Sequence, residues 1–137
     1  SLSIAYNYSM IYYIYAWIVL AIVLAMHIFG LTGPYFTFSG YDIIMHFLGG
    51  VGIGLFVLAL FNSLKFSSKN RGRVIIFGVI MVGIIWELFE YYFDIAGYPV
   101  GTKLYHVDTA KDLIVDTVGA IMIVRMTRKI DTKAAAV

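Results

Sequence analysis

The first 41 residues contain no Asp, Glu, Lys or Arg, and Met10 to Leu31 form one apolar run. Crossing the roughly 30 Å hydrocarbon core of a bilayer takes about 20 helical residues. In lipid the backbone polar groups must be satisfied within the segment, which commits such a run to a helix. Two more uncharged runs follow, Ile43 to Leu64 and Val74 to Trp86. With 61% hydrophobic and 13% charged residues, against roughly a quarter charged in soluble domains, residues 1–137 read as one integral membrane domain. Cysteine is absent, which removes disulfides, thiolate metal sites and cysteine nucleophiles.

The spacing predicts spans at about 10–31, 42–64, 74–94 and 108–128. Tyr6, Tyr8, Tyr12, Tyr13, Tyr15 and Trp17 form an interfacial belt at the entry of the first. That run lacks a basic flank and a small-x-small cleavage site, so it reads as a retained helix rather than a signal peptide. Gly30, Gly33 and Pro34 end it, and an aromatic, uncharged loop follows. Gly50-x-x-x-Gly54, with Gly49 and Gly52 beside it, is a face for close helix packing. No strand precedes it and no Lys-Ser/Thr follows, so it is not a phosphate loop.

The fourth span is the least apolar, but charge places it. With four helices and both termini cytoplasmic, Lys65, Lys69, Arg71, Arg73, Arg125, Arg128, Lys129 and Lys133 all lie inside, eight of the ten basic residues. This is the bias that cytoplasmic loops carry. It accounts for the net charge of +2 without a nucleic-acid partner. The expected fold is an all-α, four-helix transmembrane bundle.

That topology gathers seven of the eight acids on the extracytoplasmic side. Asp108, Asp112 and Asp116 are spaced i, i+4, i+8 and share one face of the fourth helix. Glu87, Glu90 and Asp94 share a face at the outer end of the third, and Asp42 and His46 lie i, i+4 at the start of the second. An ionisable group inside a span faces the bundle interior and marks a functional site. Clustered acids cannot all ionise unless cations or shared protons offset their charge. His46, Glu87, Glu90, Asp112 and Asp116 are therefore the candidate ligands of a divalent metal, with Asp42, Asp108, Asp94 and His106 at its rim or capping helices. Mg²⁺, Mn²⁺, Ca²⁺, Fe²⁺ and Zn²⁺ all suit carboxylate and imidazole donors.

Structural roles compete for several of these residues. Asp108 at a helix start is a natural N-cap, and Asp42 could cap its helix in competition with Ser39. Lys111 can pair with a neighbouring acid. Asp94 suits a solvated interface, and His27 and His106 suit ordinary interfacial positions. Glu-x-x-His pairs of a di-iron bundle, His-Glu-x-x-His and Gly-x-Ser-x-Gly are all absent.

The motifs Asp42-x-x-x-His46-Phe-x-Gly49-Gly50, Trp86-Glu87-x-x-Glu90 and Asp108-x-x-x-Asp112-x-x-x-Asp116-x-x-Gly119 resemble those of the YjdF-like and VanZ-like membrane proteins. VanZ-like chains usually carry Gln and Asn where Glu90 and Asp116 stand, so the resemblance is nearer to the YjdF-like side. It implies a four-to-six-helix membrane protein whose polar motifs meet, and no particular reaction. Three readings follow from the residues. The first is a divalent-metal centre open to the extracytoplasmic side, with metal-assisted hydrolysis or transfer on a lipid phosphate. The second is a non-catalytic subunit of a larger membrane complex or homo-oligomer, its acids forming a structural ion site or polar network. The third is a small ion or proton pathway.

Overall fold

A computed structural model describes residues 2–38, 40–64, 68–95 and 97–134, without the side chains of 2–8, 68 and 129–134. Among the described residues there is no strand. The elements are α1 (Leu2–Gly30), α2 (Pro34–Thr37), α3 (Tyr41–Ser63), a 3₁₀ turn (Ser68–Asn70), α4 (Arg71–Phe93) and α5 (Lys103–Ala134). Ser9–Gly30, Tyr41–Ser63 and Arg71–Phe93 are long and apolar enough to cross a membrane. α5 is the longest helix, but its acids and basic residues keep it out of that group.

Helix α3 is central and packs on α1, α4 and α5, while α4 also packs on α5. Small residues make this closeness attainable. A Cβ at Gly50 would run into the Asp116 carbonyl, and one at Gly119 would lie 2.6 Å from Phe47 O and 2.8 Å from Val51 N. The α3–α5 crossing is therefore backbone against backbone. Gly54 is more relaxed, its Cβ meeting Ile123 Cγ1 at 3.4 Å, and Gly52 faces Leu20 of α1. Toward the other end of the helices, Val51, Leu58, Ile75, Val79, Ala120 and Ile123 form the apolar core.

Helix α1 packs on α3 but not closely on α4 or α5. Its outward side chains Trp17, Ile18, Ile28 and Phe29 stay exposed, as lipid-facing residues do. Its end is pinned by the Tyr41 hydroxyl, which donates to Met26 O at 2.6 Å. Gly30 leaves room for the Tyr35 and Tyr41 rings.

Two helix starts differ from the sequence expectation. α5 begins at Lys103, where Thr102 Oγ1 accepts the Tyr105 N–H at 3.2 Å and so caps the first turn. Asp108 thus lies in the second turn and is not the N-cap, and His106 is helical rather than in a loop. At α3 the cap position is Gly40, with no side-chain cap bond, and Asp42 turns to other partners. Ser39 and Lys65 fall outside the described residues, as do the side chains of Tyr6, Tyr8, Lys129 and Lys133.

Candidate metal centre

The site lies just beyond the α3–α5 crossing, where Gly50 and Gly119 bring the two backbones together. Asp42 and His46 are one turn apart on α3, and Asp112 and Asp116 one turn apart on α5. His46 Nε2 stands 3.6 Å from Asp42 Oδ1 and 3.9 Å from Asp112 Oδ2. One donor atom from each of Asp42, His46 and Asp112 lies within 4.8 Å of the others. On the other side of the ring, His46 Nδ1 is 3.4 Å from Asp116 Oδ1. His46, Asp112 and Asp116 are buried, and Asp42 is half-buried.

Asp116 is seated by glycines of two helices. Its Oδ2 lies 2.8 Å from where a Cβ of Gly83 would be, and its Oδ1 is 3.8 Å from a Cβ built on Gly49. Gly83 on α4 is thus part of the site's construction. Its one signal in the sequence is its position four residues before Glu87, on the same helix face.

Lys111 closes the cluster on the side of the α3 start. Its Nζ donates to Asp108 Oδ1 at 2.6 Å and to Asp42 Oδ2 at 3.1 Å. It also approaches Asp112 Oδ1 to 3.3 Å. That contact lacks hydrogen-bond geometry, since buried Asp112 Oδ1 has no hydrogen-bond partner among the described residues. One ammonium therefore serves three carboxylates, hydrogen-bonding Asp42 and Asp108 and leaving Asp112 Oδ1 without a hydrogen bond among the described residues.

The remaining residues divide. Glu87 is buried beside Thr109 of α5, with Oε1 lacking a hydrogen-bond partner among the described residues. Glu90 accepts the Trp86 indole N–H at 2.9 Å. Neither belongs to the close group of Asp42, His46 and Asp112. Asp94 is exposed and ends α4 in a left-handed conformation, φ 52° and ψ 42°. His106 is exposed beside the Tyr105 ring. Asp42, expected only at the rim, is the residue the fold moves inward.

A cavity of about 240 Å³ adjoins the cluster, and Asp42, His46, Asp116 and Glu90 all line it. Tyr35 and Trp86 stand at the same end, where His27 Nδ1 and the Tyr35 hydroxyl share a 2.9 Å hydrogen bond. The Tyr35 phenol, outside the spanning helices, is pushed above its ordinary pKa, first by burial and then by the negative charges of Asp42 and Glu90.

An all-α chain with three helices of spanning length and composition is an integral membrane protein. The chain belongs to the family described as "Predicted membrane protein (DUF2238)", whose model matches residues 2–133. No curated protein and no solved structure matches it.

Proposed function

We propose that this chain is a four-span membrane protein, both termini cytoplasmic, that holds a divalent cation on Asp42, His46 and Asp112 near the extracytoplasmic face. The observation that carries the reading is the His46 ring caught between carboxylates on both sides. If Nδ1–H points to Asp116, then Nε2 presents a lone pair to Asp42 and Asp112, and three electron-rich atoms meet. A cation resolves this. Ligand atoms on a tetrahedral ion with bonds of about 2.0–2.2 Å stand about 3.3–3.6 Å apart, close to the 3.6 and 3.9 Å seen here. Asp116 then plays the orienting carboxylate of a carboxylate–histidine–metal triad. The buried Asp112 oxygen without a hydrogen bond fits the same need. We read the likeness to the YjdF-like and VanZ-like motifs as a shared polar centre of this kind.

A bound ion would act as a Lewis acid on an oxygen presented from the cavity. No Lys or Arg lines that cavity among the described residues. Phosphate sites usually offer such side chains, so the lining favours an uncharged or cationic group over a phosphate.

Lys111 favours a second reading, a structural network in which His46 is doubly protonated and pairs with the acids as Lys111 does. Such a network would suit a subunit of a larger assembly. Elemental analysis and divalent titration of purified protein separate the two. The metal reading expects stoichiometric binding that Asp112→Asn abolishes. Wild type that binds no divalent ion, or binds it no better than Asp112→Asn, refutes it. The cysteine-free chain also permits a topology test, in which Asn70→Cys and Leu104→Cys should label from opposite sides.

A further inference from the structure

We infer that the cavity between α1 and α4 is a binding site for a single-chain amphiphile with an ammonium head, entered sideways from the bilayer. Helices α1 and α4 both pack on α3 yet do not approach each other closely, so a seam is left between them. One end of the seam is bridged by the His27 and Trp86 rings, whose centroids are 5.3 Å apart. Below that bridge the walls turn apolar, with Leu20, Val23 and Leu24 from α1 facing Val79 and Val82 from α4. The cavity is thus polar at one end and hydrocarbon-like along its length, matching a lipid lying beside a helix.

Charge complementarity selects the head group. The polar end is lined by the carboxylates of Glu90, Asp42 and Asp116 and the imidazoles of His27 and His46, with no Lys or Arg in the lining among the described residues; Lys111 pairs with Asp42 from behind it. Trp86 and Tyr35 stand there too, and indole and phenol faces attract organic cations. The indole N–H of Trp86 fixes Glu90 at 2.9 Å, so a carboxylate and an aromatic ring stand together. An anionic head would meet carboxylates in a medium of low dielectric, where repulsion is strong. The pKa of Tyr35, raised first by burial, is raised further by the negative charges of Asp42 and Glu90 at this end. Asp42 and Asp116 are shared with the metal reading, whereas Glu90 stands outside the group proposed to hold the metal, so the inference rests on Glu90 and is tested with the metal removed.

Trp86 provides the readout, because the chain has two tryptophans and the other, Trp17, is exposed on α1. In Trp17→Phe protein, held in maltoside micelles with chelator present, Trp86 fluorescence is titrated with twelve-carbon amphiphiles brominated at the chain end. Heads are primary ammonium, trimethylammonium or phosphate. Saturable quenching by the ammonium amphiphiles at low mole fraction is expected, with the phosphate amphiphile at least tenfold weaker. Glu90→Gln should weaken the ammonium response about tenfold, as loss of a charge-assisted contact does. Val82→Phe, which narrows the apolar arm at a half-exposed position, should weaken both kinds of head. Equal quenching by phosphate and ammonium, or a Glu90→Gln protein that responds as Trp17→Phe alone does, overturns the inference. The chelator keeps the outcome separate from the metal reading.

Discussion

Gly119→Ala tests whether the helix crossing assembles the site. A Cβ there would lie 2.6 Å from Phe47 O, 2.8 Å from Val51 N and 3.0 Å from Gly50 C. All three are backbone atoms, so no side-chain rotation relieves the contact. Restoring an ordinary separation of about 3.4 Å requires α3 and α5 to part by about 0.8 Å. Overpacking of this kind costs about 1–3 kcal/mol, and the better helix propensity of Ala returns about 1 kcal/mol. The expected net loss is therefore at most about 2 kcal/mol. The larger effect falls on the site, because Phe47 adjoins His46 and Gly119 is less than one turn from Asp116. The same movement stretches the 3.9 Å His46–Asp112 and 3.4 Å His46–Asp116 separations. Divalent affinity should fall about 10- to 100-fold, the range seen when a ligand's support is lost. Denaturant unfolding and divalent titration in the same detergent measure the two effects. Gly54→Ala is the control, since its Cβ meets Ile123 Cγ1 at an ordinary 3.4 Å; it should leave divalent affinity near wild type and stability unchanged or raised by up to about 1 kcal/mol. Gly119→Ala protein with wild-type affinity and stability would refute the argument that the backbone crossing sets the spacing of the site.

Other expectations follow from single contacts. Lys111→Met removes an ammonium that competes for Asp42 and Asp112, so divalent titration should show tighter binding; weaker binding would make Lys111 part of the site's support. Asp116→Asn should weaken divalent binding about 10- to 100-fold without abolishing it, whereas Asp112→Asn should abolish it; equal losses would mean both residues are ligands. Gly83→Ala places a methyl against Asp116 Oδ2 and should mimic Asp116→Asn in titration, with little effect if the carboxylate can swing aside. Thr102→Ala should cost about 1 kcal/mol through loss of the α5 cap, measured by unfolding. Divalent affinity should remain near wild type in that variant, because Thr102 is two turns or more from Asp112.

Length and hydropathy alone determined that the chain is helical and belongs in a membrane, because a long uncharged run has few ways to satisfy its backbone in lipid. Spacing determined which acids share a face: Asp112 and Asp116 lie together on α5 because four residues nearly complete a turn. The small residues of α3 were legible as packing positions, and Gly50 and Gly54 meet α5 while Gly52 meets α1. Depth within each helix was legible as well, and it made Glu87 and Glu90 look equivalent to His46. Only the tertiary structure separated them, since rotation of one helix about its axis and its distance from a neighbour leave no mark on periodicity. That geometry sent Glu87 to Thr109 and Glu90 to Trp86, brought Asp42 inward to His46, and set Lys111 among three acids. It also moved the start of α5 ahead of Asp108, because Thr102 supplies the cap and frees the carboxylate to pair with Lys111. Sequence fixes which groups a helix face can carry, while the separation of backbones at Gly50 and Gly119 decides which of those groups meet.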